Sequence, residues 1–176
     1  MILKLEDSER RVAQLEDIEA VRQLKCEYAR CLDAMINENG PAQAVLDTFS
    51  EDATWESLHF GVYQGYAQLS EFLASCKNKI SFSLNFVMNQ IIEISPDGGS
   101  ATARWTTWAP LTIGGKPMLM AGLYKDAYVK RNAQWLTSRA ELTVKFVSDY
   151  RVGWAEERIS KLWTWDQESR EGTNVA

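Results

Sequence analysis

The chain has 176 residues, 45% of them apolar, with a formal charge of -5 and a pI near 5.0. That size and apolar content suit one domain with a full core, and the acidic balance excludes the basic patches by which proteins hold nucleic acid or anionic membranes. No apolar run approaches the roughly 20 residues of a membrane span, and Met1-Ile2-Leu3-Lys4 opens no signal peptide, so a cytoplasmic protein is expected.

Asp7 and Ser8 are placed to cap a helix entered by Glu9-Arg10-Arg11. Along it Leu15, Ile18, Val21, Leu24, Tyr28, Cys31, Leu32 and Met35 recur at helical spacing, which predicts an amphipathic helix ending near Ile36 to Gly40. Pro41 restarts a short helix through Phe49, and Ser50-Glu51-Asp52 reads as a break. A short strand from Ala53 to Leu58 then leads into the aromatic loop His59 to Tyr63. Gly65 ends that loop, and Tyr66 to Lys79 reads as a third helix with Leu69, Phe72, Leu73 and Cys76 on one side.

Four long strands follow: Ser81 to Ile94, Ala101 to Ile113, Lys116 to Lys130 and Gln134 to Tyr150. Pro96-Asp97-Gly98-Gly99, Gly114-Gly115 and Arg131-Asn132-Ala133 are the turns between them. Strands this long twist strongly, so an antiparallel sheet is expected to curl into a trough. With the helices packed across it, the fold class is α+β with a pocket between the layers. A single domain over 1–176 is expected, with its core at about 8–150 and a tail over 151–176 whose last residues are loose.

Cys26, Cys31 and Cys76 lack metal-like spacing, and Cys26 and Cys31 lie roughly 140° apart on a helix, so reduced, packed thiols are expected. The single histidine, His59, rules out a His-rich metal site. Asp33 is the most informative residue, because a carboxylate late in an apolar helix beside an enclosed cavity suits proton transfer near neutral pH. The plain alternative is a carboxylate that caps nearby backbone or pairs with Arg30 or Arg139.

Leu15-Glu16-Asp17-Ile18-Glu19-Ala20-Val21, Tyr28-Ala29-Arg30 with Asp33, Phe49-Ser50-Glu51-Asp52-Ala53, Gly65, Asn89, Ala101-Thr102-Ala103, Gly122-Leu123-Tyr124-Lys125-Asp126, and Trp135 with Arg139 occur in that order. Together they resemble the SnoaL-like branch of the nuclear transport factor 2-like superfamily, from about Leu15 to Tyr150. The resemblance implies a cone-shaped α+β barrel, a homodimer or homotrimer, and cofactor-independent chemistry on small molecules. It matches Asp33 to the family's pocket aspartate and Tyr28 to its companion tyrosine. It also marks a departure. Dehydratase-like members carry a histidine at the position of Asn85, and an amide holds a substrate oxygen but shuttles no proton.

Strand alternation completes the candidate set. If Asn85 faces the cavity, Val87 and Asn89 do too, while Phe86 and Met88 face away. The face of Arg104, Thr106 and Trp108 is taken as concave, since an Arg amid Trp and Thr is costly without a role; a structural pair with Glu141 or Asp126 is the alternative. His59 stands at the mouth loop as a possible acid or base, or as an exposed histidine without a role. Glu56, Glu141 and Lys145 have weaker claims. Trp55, Phe60, Tyr63, Trp108 and Tyr124 are expected to line the pocket, favouring a flat aromatic or polycyclic ligand, against the alternative that each is core or dimer contact.

The expected function is therefore a lyase without metal or organic cofactor, acting on an aromatic or polycyclic alcohol such as a lignin-derived diaryl compound. Its route is dehydration or carbon–carbon cleavage through a quinone methide. The catalytic set is Asp33, Tyr28, His59, Asn85 and Arg104, with Asn89 and the aromatics holding substrate. A ketone isomerase or cyclase, a carrier of apolar ligands and a structural oxygenase subunit are the alternatives.

Overall fold

The computed structural model describes residues 2–161, with side chains from residue 7 onward. Helix α1 spans Ile2–Asn37, so it begins before the Asp7 and Ser8 cap that the sequence favoured. Its apolar stripe is buried only from the middle onward: Val21, Tyr28, Cys31 and Met35 enter the core, whereas Leu15 is 65% exposed. Helix α2 (Ala42–Leu46) follows Pro41. Strand β1 (Phe49–Ser57) absorbs Ser50-Glu51-Asp52, where a break was expected, and pairs with β2 (Gly61–Gln64). Helix α3 (Gly65–Lys79) delivers the chain to the long strands.

Those strands are β3 (Ile80–Ser83), β4 (Phe86–Ile94), β5 (Ser100–Ile113), β6 (Lys116–Arg131) and β7 (Gln134–Asp149). The turns act as their residues dictate. Gly114 and Gly115 both take positive φ, as do Asn132 and Ala133, the arrangement that a tight two-residue hairpin requires. The sheet order is β2-β1-β7-β6-β5-β3, with β4 also on β5. All pairings are antiparallel except β1 with β7, which is parallel. The expected curled sheet under N-terminal helices is what forms, with one mixed pairing.

The predicted first strand is interrupted at Leu84-Asn85. The cause lies in the last turns of α1, where Asp33 and Asn37 share a face one turn apart. Asn37 Nδ2 donates to the Ser83 carbonyl (2.7 Å), and Ser83 N–H donates to Asn37 Oδ1 (2.9 Å). Asn85 N–H donates to Asp33 Oδ2 at 2.8 Å. These side chains replace ladder partners and bend the chain, so β3 and β4 follow one another along the same edge of β5.

Near the middle of α1, Asp17 accepts from Lys130 Nζ (2.6 Å) and Trp135 Nε1 (2.9 Å), clamping the helix to the β6–β7 hairpin. Gly122 sits at a register shift between β6 and β7, where a Cβ would meet the Thr143 carbonyl oxygen at 2.9 Å. No helix among the described residues is long and apolar enough to cross a membrane. Trp163, Trp165 and the loose end expected of the tail lie outside the described residues.

Candidate active site

Between the end of α1, α3 and the concave face of the sheet lies a narrow apolar cavity of about 50 Å³. Since a bound water needs roughly 10–15 Å³ of such space, this is room for a few waters, or for one flat ring once the walls yield. Its inner end is made by Tyr28, Trp55 and Tyr124, all buried, and its walls by Phe60, Phe72, Leu111, Met120 and Leu142. Leu32, Ile36 and Asn85, each half-buried, stand at the rim beside Ser83. The aromatic wall is built locally. Phe72 of α3 stacks on Trp55 (4.2 Å between centroids) and on Tyr63 (4.6 Å), and Phe60 meets Trp55 edge-on at 5.5 Å.

The inner end is a cluster of polar atoms in dry surroundings. The Tyr28 and Tyr124 rings meet edge-on at 6.5 Å. Burial pushes the Tyr28 phenol up to about 12, with the Tyr124 hydroxyl and the Trp55 indole pulling the other way. Burial also raises Tyr124 well above its ordinary value, reinforced by Tyr28. Both are therefore neutral donors across the physiological range. Trp55 Nε1 is buried beside the Tyr28 hydroxyl, close enough to favour its ionised form without completing a well-aligned hydrogen bond. Beneath Tyr124 lies Lys25 Nζ, 3.5 Å from the ring centroid and 2.8 Å from Asp126 Oδ2.

At the rim, Asp33 Oδ1 accepts from Ser83 Oγ (2.7 Å) and Asn85 Nδ2 (2.6 Å), while Oδ2 accepts from Asn85 N–H. Of the carboxylate's four or so lone-pair sites, three are engaged and one on Oδ2 is open. Asp33 does cap backbone, as its plain reading held. The same bonds fix the Asn85 amide at the pocket edge, with its carbonyl and second N–H left for a ligand. Asp33 itself stands one hydrogen bond behind the cavity surface.

The other predicted residues lie elsewhere. Arg104 is exposed on the outer face of the sheet, because the inward positions of β5 are Ala101, Ala103, Trp105, Thr107, Ala109, Leu111 and Ile113. The argument from cost failed there: the convex face is open to water, where an Arg is cheap. Trp108 shares that outer face and packs edge-on against Phe146 (5.7 Å) and Trp154 (6.4 Å). Alternation holds from Val87, which packs on the core, through exposed Met88. It then fails at Asn89, whose φ of 54° marks a bulge that turns it outward, with Nδ2 3.4 Å from Thr106 Oγ1. His59 lines a separate outer groove with Glu56, Arg139 and Glu141. Arg139 pairs with Glu56 and, at 3.8 Å, with Glu141, and neither acid lines the apolar cavity. Tyr63 forms a second layer, its hydroxyl donating to the Phe60 carbonyl at 2.8 Å.

Tyr28, Trp55, Phe60, Asn85 and Tyr124 are thus brought together with Asp33, while Ser83, Phe72, Cys76, Lys25 and Asp126 were missed. Lys25 carried a signal. It lies four residues after Val21 and three before Tyr28, on the apolar stripe of α1. Among the described residues, no three His, Cys, Asp or Glu side chains converge in a way that would hold a metal ion.

The family described as the SnoaL-like domain matches residues 13–141. The chain belongs to that family. Among curated proteins, none matches this SnoaL-like domain in sequence. Solved structures share its fold. A candidate scytalone dehydratase from Novosphingobium aromaticivorans is 22% identical, with a TM-score of 0.69 over 80% of this chain and 91% of its own. The hexachlorocyclohexane dehydrochlorinase LinA-type3 from Novosphingobium barchaimii is 13% identical, with a TM-score of 0.69 over 79% and 93%. A nuclear transport factor 2-like protein with a cystatin-like fold, also from Novosphingobium aromaticivorans, is 20% identical, with a TM-score of 0.63 over 80% and 89%. At these identities the likeness is one of fold.

Chemically, the SnoaL-like pocket offers hydrogen-bond donors at its inner end, an oriented amide and a carboxylate at its rim, and aromatic walls between. Such a set can hold a ligand oxygen and pass a proton at the pocket rim.

Proposed function

We propose that this SnoaL-like domain is a cofactor-independent lyase that eliminates water, or cleaves a carbon–carbon bond, from a small aromatic alcohol. The observation that carries this reading is the placement of neutral phenols, Tyr28 and Tyr124, opposite the Asp33–Asn85 pair across an aromatic-walled cavity. In the proposed cycle Tyr28 hydrogen-bonds the departing or ring oxygen and Asn85 holds a substrate hydroxyl. As the benzylic C–O bond of a para-hydroxyphenyl substrate breaks, its phenolic proton passes through a water at the rim to the open lone pair of Asp33. The departing hydroxyl takes a proton from Tyr28 and leaves as water, and the proton on Asp33 then restores Tyr28, leaving the quinone methide. No step requires His59, Arg104, Asn89 or Trp108. The cavity volume favours a single flat ring, and a diaryl or polycyclic alcohol requires the rim residues Leu32 and Ile36 to rotate away.

One observation favours a second reading, a carrier for apolar ligands: three of the lone pairs of Asp33 are already engaged, and an amide stands in front of it. Incubation with para-hydroxybenzylic alcohols, followed by mass analysis, separates the two. Product formed by wild type and lost in Asp33→Asn supports the lyase; ligand bound and recovered intact by both proteins supports the carrier. We further read the chain as a cytoplasmic single domain that forms a homodimer or homotrimer. Phe86, Met88, Ile91 and Leu123 are exposed apolar residues on the outer face that suit such contact, and light scattering would test it.

A further inference from the structure

One buried charged pair has no part in that cycle. Lys25 lies one turn before Tyr28 on the same face of α1 and is 2% exposed. Its Nζ contacts Asp126 Oδ2 at 2.8 Å and lies 3.5 Å and 4.8 Å from the Tyr124 and Tyr28 ring centroids. Asp126 does not answer this cation alone. Its Oδ2 also accepts the Tyr128 hydroxyl at 2.8 Å, the Tyr128 oxygen accepts Trp105 Nε1 at 3.2 Å, and Asp126 Oδ1 has no partner. Of the inward positions along β6, Met120 and Tyr124 line the pocket, and Asp126 and Tyr128 lie beyond it. The ammonium thus stands on the pocket side of its carboxylate, against the ring that closes the pocket. A buried ion pair survives in a core where apolar residues of equal volume would pack without its desolvation penalty, which calls for a use.

We propose that the inner end of the pocket is an oxyanion site for a phenolate- or enolate-type oxygen, with Lys25 as the positioning residue that acts on it through the Tyr124 and Tyr28 phenols. A cation held on a phenol ring face withdraws electron density and makes the hydroxyl a stronger donor. Three donors surround the site: the two hydroxyls and the Trp55 indole N–H, which is buried beside the Tyr28 hydroxyl. The titratable groups facing it are Lys25 of α1, Tyr124, Asp126 and Tyr128 of β6, Cys76 of α3 and, at the rim, Asp33. Of these only Lys25 is a cation. An ionised oxygen is therefore preferred over its neutral form, which has a proton to donate and finds donors in its way. The inference rests on the pocket being the active site and narrows its substrate to compounds that develop negative charge on a ring or carbonyl oxygen.

The test uses the full chain and 4-nitrophenol, whose neutral and ionised forms absorb at different wavelengths. Wild type is expected to bind the phenolate at least tenfold more tightly than the phenol, which lowers the ionisation pH of the bound probe by about one unit. Lys25→Met with Asp126→Leu removes both charges without stranding either, and is expected to abolish the preference in a protein that circular dichroism shows to be folded. Burial lowers the Lys25 ammonium and Asp126 is what holds it up, so Asp126→Asn favours the neutral amine and is expected to weaken the preference. Equal preference in all three proteins, or no probe binding by folded wild type, overturns the proposal. Turnover is scored apart. Turnover of an aromatic alcohol without a Lys25-dependent preference keeps the lyase and removes the oxyanion site, while a Lys25-dependent preference without turnover does the reverse.

Discussion

Two aspartates on one helix make opposite use of similar geometry. Asp17 reaches the sheet through Lys130 and Trp135, so a cation cancels its charge where the helix meets the β6–β7 hairpin. Asp33, sixteen residues and about 24 Å further along α1, reaches the sheet through Ser83 and Asn85, both neutral. The first arrangement ties down backbone and leaves nothing over. The second orients an amide at the edge of a cavity and keeps the net negative charge and one open lone pair beside it. A carboxylate answered by a cation holds structure; one answered by neutral donors at a cavity rim orients those donors toward a ligand.

The sharpest way to press this comparison is the third carboxylate, Asp126, which is fully buried with Lys25. Lys25→Met alone leaves Asp126 uncompensated and is expected to cost about 3–5 kcal/mol in chemical denaturation, most of it regained when Asp126→Leu is added. Asp17→Ala comes next, at about 1.5–3 kcal/mol by the same measurement, because it strands the Lys130 and Trp135 donors. Burial pushes the Asp17 carboxyl up, but Lys130 and Trp135 outweigh it and hold it below its ordinary value. Its stabilising contribution is therefore complete above the unfolded carboxylate value near pH 4 and disappears as pH falls through the folded value. Asp17→Asn is expected to flatten that acid limb; an unchanged limb would remove Asp17 from the clamp.

Asp33→Asn should separate function from fold. About 1 kcal/mol of stability is expected to be lost as an amide N–H meets existing donors, together with a loss of turnover far beyond what that destabilisation explains. A stability loss as large as that of Asp17→Ala, with turnover kept, would make the two aspartates alike. The smallest effect belongs to Arg104→Ala on the convex face, expected within 0.5 kcal/mol or so of wild type and without effect on ligand affinity in calorimetry.

The meander was legible because its signals are local. Gly114-Gly115 and Asn132 tolerate positive φ, and the runs between them alternate with period two. Asp33 and Tyr28 were singled out by their place late in a periodic helix and by the family resemblance, and the structure places Tyr28, Trp55, Phe60 and Tyr124 on the cavity with Asp33 behind its rim. Asn89 and Arg104 were misread through two assumptions, that alternation runs on uninterrupted and that polar residues mark the concave side. A bulge undid the first, and the water-facing convex surface undid the second. Lys25 was passed over because a lysine reads as solvent-facing unless its partner, one hundred and one residues later at Asp126, is known.

What the sequence determined alone was whatever neighbouring residues decide: helix and strand periods, the hairpin turns, and a family pattern in which an amide stands for a histidine. Only the tertiary structure decided which face of β5 looks inward, that β1 runs parallel to β7, that the predicted first strand breaks at Leu84-Asn85, and that Lys25 meets Asp126 beneath the pocket. These depend on contacts between residues far apart in the chain, such as Asp33 with Asn85. Side chains from one element there satisfy backbone donors of another, and no local period encodes that exchange.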